Sequence, residues 1–251
     1  MFINKDRQRK RPKVKTKPID NQEGEQNMKG QKKVQKIEAA KTAIVLIEPQ
    51  YDFLKPGGSM YQFIAQQLKE RNVIANLDDF INKARKKVKK IIYVPFEEFE
   101  PGFPEIDKKG PGMGGLRGLE IDMPTGWKID GKPVTGAWVK GTPGPQIIPE
   151  LTPKKEDIIL RGKKTLDAFW STALDYTLRV NMIEWIVIVG FHTNWCVEST
   201  ARSAYDKGYR VVVIGDCTGT DTDEEQKYVE KFIFPKIGTV MKYKEFLKSL
   251  V

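Results

Sequence analysis

The sequence predicts an α/β fold, a three-layer α/β/α sandwich around a central, mostly parallel sheet of about six strands. Two observations carry that prediction. Short β-branched apolar runs recur with no polar interruption, the pattern of strands buried on both faces of a parallel sheet. Between them lie segments with helical spacing, so strand and helix alternate along the chain. At 251 residues and 39% hydrophobic content, the chain is long enough for one sizeable domain and short for two.

The first 40 residues stand apart. They hold 12 Lys/Arg against 5 Asp/Glu and so carry +7 of the formal +10 charge, leaving a body close to neutral. The charge argument for nucleic acid therefore rests on this tail alone. Its composition reads as a solvated, disordered extension, with a nuclear-address or polyanion-binding role as the alternative. No apolar stretch follows its charges as in a secretory signal.

The folded body is expected over residues 41–251, and its first strand is TAIVLIE (42–48). Met60 to Val88 has helical spacing and leads to the second strand, KIIYVPF (90–96). Residues 97–149 are rich in Gly and Pro, lack strong periodicity and are too long for an ordinary connection, so they are expected to form either a pocket-wall loop over the carboxyl end of the sheet or an elaborated surface loop with no substrate contact. DIIL (157–160), IVIVG (186–190), RVVVIGD (210–216) and GTVMKY (238–243) supply the remaining strands. Helical spacing returns at Thr172 to Asn181, Val197 to Lys207 and Asp223 to Phe232. This order predicts right-handed crossovers and a ligand site at the carboxyl ends of the strands.

Two cysteines, Cys196 and Cys217, are too few for a disulfide framework, and no apolar run has the length of a membrane span. A reducing, cytoplasmic compartment fits, with no membrane partner. Three polar residues, Glu48, Lys163 and Cys196, each fall just after a core strand. Cys196 follows a strand and opens a helix, where the helix dipole is expected to favour the thiolate, the form that attacks a carbonyl. The competing reading of that position is a buried packing cysteine. Cys217 has no helix start behind it and reads as packing. Phe53, Phe169 and Trp195 flank the three polar positions and are expected either to wall a substrate pocket or to pack the core.

Four segments then agree in one pattern. GFHTNWCVESTARSAYDKGYRVVVIGD, IEPQYDFLKPGG at 47–58, GTPGPQIIPEL at 141–151 and RGKKTLDAFWSTALDYTLR at 161–179 resemble, in the right order, the motifs of isochorismatase-like cysteine hydrolases. The resemblance implies a catalytic triad of acid, lysine and cysteine. Cys196 matches the nucleophile, and Lys163, six residues before Phe169, matches the lysine, with Lys164 as its competitor. The acid position, ordinarily Asp, is Glu48; its extra methylene requires an adjusted pocket or weakens activity. Asp52 matches a second acid that orders the following loop.

The resemblance further implies an oxyanion hole from the backbone N–H groups of Cys196 and His192, with a cis peptide between Phe191 and His192. It suggests a homo-oligomer, dimer or tetramer. The implied function is cleavage of a C–N bond in a small amide or carbamoyl substrate through a thioester, with no cofactor. His192 is the sole histidine, which leaves no second one for the histidine-bearing metal site of the family's nicotinamidases, so no metal is expected. His192 as a general base is the lesser reading of its ring. The alternatives are an isochorismatase-type vinyl ether hydrolase and a non-catalytic scaffold or binding protein that keeps the fold.

Overall fold

A computed structural model describes residues 36–110 and 116–251. The basic extension expected over residues 1–40 lies outside the described residues as far as Gln35. The body reaches back before residue 41, because Ile37 is buried and bridges Leu250 near the carboxyl terminus. Its N–H donates to the Ser249 carbonyl at 2.9 Å, and its own carbonyl accepts from Val251 N–H at 3.0 Å. One isoleucine among charged neighbours carries no periodicity, so nothing in the local pattern marks it.

The strands in chain order are β1 (Thr42–Ile47), β2 (Lys90–Val94), β3 (Pro124–Ile129), β4 (Lys132–Thr135), β5 (Ile158–Ile159), β6 (Trp185–Phe191), β7 (Arg210–Gly219) and β8 (Thr239–Met241). Six of them form the central sheet in the order β5-β2-β1-β6-β7-β8. Every pairing within it is parallel. The expected sandwich and sheet are therefore the observed ones.

Burial on both sides follows the period of two along each strand. In β1, Ile44 and Leu46 face one core while Ala43, Val45 and Ile47 face the other. The first face is covered by apolar residues of α2 (Tyr61–Glu70), α3 (Val73–Ala84) and α8 (Tyr243–Ser249). The second is covered by α5 (Leu174–Val180) and α6 (Glu198–Asp206). The single helical span read from Met60 to Val88 is two helices, because Asn72 adopts φ +53° between them.

The sheet order places the functional end. From β1 the chain moves outward through β2 to β5, and from β6 it moves the other way through β7 to β8. The direction reverses between β1 and β6, and a crevice opens outside the carboxyl ends at such a switch point. Glu48 follows β1, and Cys196 follows β6.

The long segment 97–149 has more structure than expected. It contains α4 (Leu116–Asp122) and an antiparallel hairpin of β3 with β4. The hairpin turns at Asp130 and Gly131, with φ +50° and +77°, the left-handed pair that a two-residue turn requires. Asp52, in the short helix α1 (Tyr51–Leu54), ties this segment to the sheet. Its buried carboxylate accepts from Trp138 N–H at 2.5 Å, Trp127 Nε1 at 3.1 Å and Ser59 N–H at 3.2 Å. That is the loop-ordering part expected of the second acid.

Candidate active site

Glu48 leaves β1 in the left-handed region, φ +51°. Its backbone N–H donates to the Val94 carbonyl of β2 at 3.2 Å. Two residues on, the Gln50 amide stitches the ends of β1 and β2 together. It accepts from Phe96 N–H at 2.7 Å and donates to the Phe96 and Pro145 carbonyls at 2.8 Å each. The carboxylate of Glu48 is thereby aimed across the switch point.

Lys163 sits beyond β5, bridged to Phe96, and its carbonyl accepts from Glu97 N–H at 2.7 Å. Its ammonium donates to Glu48 Oε1 and to the Thr165 carbonyl, and lies 4.7 Å from the centre of the Phe96 ring. Both members of the ion pair are fully buried. Lys164 points elsewhere, donating to Glu105 Oε1 at 3.2 Å and lying 4.4 Å from the Phe99 ring centre. The structure thus brings Lys163, and not its neighbour, to the acid.

Cys196 lies in a π-helical turn, Thr193–Val197, immediately before α6, and is 2% exposed. The lowered thiol pKa expected from a helix start is not what this environment produces. Burial pushes the thiol well above its usual range, and the negative charge of Glu48 pushes the same way. Lys163 pulls in the opposite direction without prevailing. For Lys163, burial alone would lower the pKa, but the attraction of Cys196 and Glu48 outweighs it and the ammonium is held on. The resting cluster is a thiol beside a carboxylate–ammonium pair. A further acid, Glu120 of α4, is buried and close enough to add a smaller push to both groups. Nothing in its sequence surroundings singles it out.

Aromatic rings form an arc along this cluster. Trp195 stacks on His192 at 4.4 Å, His192 meets Phe53 at 4.7 Å, and Phe53 meets Trp138 edge-on at 5.4 Å. Trp138 stacks on Phe96 at 4.0 Å, and Phe96 leads back to Lys163. Phe53 and Trp195 are members of this chain of rings, which reaches Lys163 through Trp138 and Phe96. Phe169 shares a core with Cys196 but stacks on Tyr209 at 6.1 Å, and its outer edge lines a surface groove with Trp170 and Lys207.

The Phe191–His192 peptide is cis. The His192 ring is fully buried, with Nδ1 2.9 Å from Asp221 Oδ1 but off the line of a ring N–H hydrogen bond. Among the described residues, no three His, Cys, Asp or Glu side chains are grouped to hold a metal ion. Cys217 is buried in the first core, where burial pushes its thiol well above the usual range and the charges of Asp216 and Asp79 push the same way.

Comparison with known proteins identifies the family and the fold. A family model described as the Isochorismatase domain matches residues 42–245. The chain belongs to the isochorismatase family. YwoC of Bacillus subtilis, an uncharacterized isochorismatase family protein, is 39% identical over 105 residues, covering 42% of this chain. The chain spans 55% of the length of that curated relative. A cysteine hydrolase from Pseudomonas syringae pv. phaseolicola has the same fold, with a TM-score of 0.66 and 19% identity over 85% of this chain and 93% of its own. So has N-carbamoylsarcosine amidase from Thermoplasma acidophilum, with a TM-score of 0.55 and 22% identity over 81% of this chain and 96% of its own.

Proposed function

We propose that this protein is a cysteine-dependent hydrolase that cleaves the C–N bond of a small amide or carbamoyl substrate through a thioester. One observation carries the reading: Glu48, Lys163 and Cys196, remote in sequence, meet as a single buried cluster where the sheet reverses direction. A thiol beside a carboxylate that is itself held by an ammonium is suited to nucleophilic attack with proton transfer. The choice of a C–N bond draws on the fold neighbour that is an amidase.

In the mechanism, Glu48 takes the thiol proton as Cys196 sulfur bonds to the substrate carbonyl carbon. Charge moves onto the carbonyl oxygen, where the backbone N–H groups of His192 and Cys196 receive it. The C–N bond then breaks, and Glu48 returns the proton to the departing amine or ammonia. In the second half Glu48 takes a proton from water, the resulting hydroxide adds to the thioester carbonyl, and the C–S bond breaks. The acid product leaves, and the sulfur regains its proton. Lys163 holds the Glu48 carboxylate in place between these transfers and compensates the thiolate as it forms. The raised thiol pKa fits this order of events, because the proton stays on sulfur until substrate is present to be attacked.

The reading is tested by ammonia release from a panel of aliphatic amides and N-carbamoyl amino acids. At least one member should turn over. Cys196→Ser and Lys163→Met should each lower kcat by about 100-fold or more. Full turnover by Cys196→Ser would contradict the proposal.

A further inference from the structure

The turn that carries Cys196 is held in place by a side chain far along the chain. Gln226, in α7 (Asp223–Tyr228), is fully buried, as are Thr193 and Thr218. Thr193 Oγ1 donates to Gln226 Oε1 at 2.6 Å. Gln226 Nε2 donates to Glu230 Oε1 at 2.6 Å and to Thr218 Oγ1 at 3.1 Å. Thr218 spends its own proton on the Gly215 carbonyl at 3.2 Å, which leaves a lone pair for the amide.

The polarity of this network is determined at one end. Glu230 Oε1 also accepts from Arg71 Nη2, at 3.2 Å, so it meets Gln226 as an acceptor and faces the NH2 end of the amide. The amide oxygen is then left facing Thr193, whose hydroxyl has to donate. Arg71 closes the far side by donating to the Gly215 carbonyl at 2.9 Å. The next residue of the turn is fastened as well, since Thr220 Oγ1 donates to Asn194 Oδ1. Leucine at 226 would satisfy none of these groups, and glutamate would set a second carboxylate against Glu230.

Thr193 and Asn194 lie between His192 and Cys196, the two residues whose backbone N–H groups the proposed mechanism needs at the developing oxyanion. Such donors act only when held close to the position of the charge, and small displacements are expensive. We infer that Gln226 is a positioning residue for the oxyanion donors of the nucleophile turn, acting through Thr193. The inference rests on the cysteine-hydrolase reading above and adds to it a residue that touches neither substrate nor sulfur.

The test compares two reactions of Cys196 in the full chain. Acylation by p-nitrophenyl acetate passes through an oxyanion, whereas alkylation by iodoacetamide displaces iodide and does not. Gln226→Leu and Thr193→Val should slow acylation by about tenfold or more while leaving alkylation within about twofold of the parent. Thr193→Ser, which keeps the hydroxyl, should acylate at close to the parent rate. Acylation of Gln226→Leu at the parent rate, or a parallel fall in both reactions, would overturn the inference. Should Gln226→Leu fail to fold, the contrast between the valine and serine variants at 193 decides it. A parent protein that acylates no faster than Cys196→Ala overturns the hydrolase reading itself, an outcome distinct from the others.

Discussion

Glu48 and Lys163 form an ion pair that water does not reach. Desolvating two charges is expensive, and removing one partner leaves the other buried without compensation. Lys163→Met should therefore destabilise the protein by about 3–5 kcal/mol in urea unfolding. Lys164→Met removes the solvent-accessible pair with Glu105 together with the contact to the Phe99 ring, and should change stability by no more than about 1 kcal/mol. Equal losses in the two variants would show that the buried pair has been assigned to the wrong lysine. The sequence itself could not separate these neighbours, because the motif reaches both. Burial does, since only one of the two ammonium groups can enter the crevice. Glu120 and Gln226 were illegible for a different reason. Each lies in a stretch that is locally polar, and in DEEQKY the glutamine is indistinguishable from a solvated helix face until α7 is packed against the turn at Thr193.

At the scale of elements, the close approach of β1 and β6 is what brings Glu48 and Cys196 to one crevice. Gly190 permits it. It pairs with Ile47, has φ +116°, and a Cβ there would lie 2.0 Å from the Ile47 carbonyl oxygen. Gly190→Ala should cost about 3 kcal/mol or more, since backbone of β1 would have to move. Gly131→Ala, in the hairpin turn, meets no atom within 4 Å and should cost only about 1 kcal/mol from its φ of +77°. Denaturant unfolding of both variants checks the contrast, and similar losses would contradict it. Strand positions were legible because buried parallel strands are apolar throughout. The β3–β4 hairpin was not, although Asp130-Gly131 is a hairpin signal. Its strands are mostly exposed and carry no apolar alternation strong enough to mark them.

For the molecule as a whole, the layered architecture and the site's location at the switch point both follow from the alternation of strand and helix. The start of the body does not, because Ile37 is recruited by the carboxyl-terminal Leu250 and not by its own neighbours. The body also determines how the chemistry is stored. Among the described residues no helix is long and apolar enough to cross a membrane, and the same core that covers the sheet encloses the nucleophile. The charges around Cys196 therefore act on one another with little screening. The most direct test of that coupling is the thiolate absorbance near 240 nm, titrated against pH in a Cys217→Ser background. The parent should ionise above the ordinary thiol value of about 8.5. Glu48→Gln, which removes the charge opposing ionisation, should shift the midpoint down, and Lys163→Met, which removes the charge favouring it, should shift it up. Coincident curves for all three proteins would contradict the claim that Glu48, Lys163 and Cys196 work as one unit.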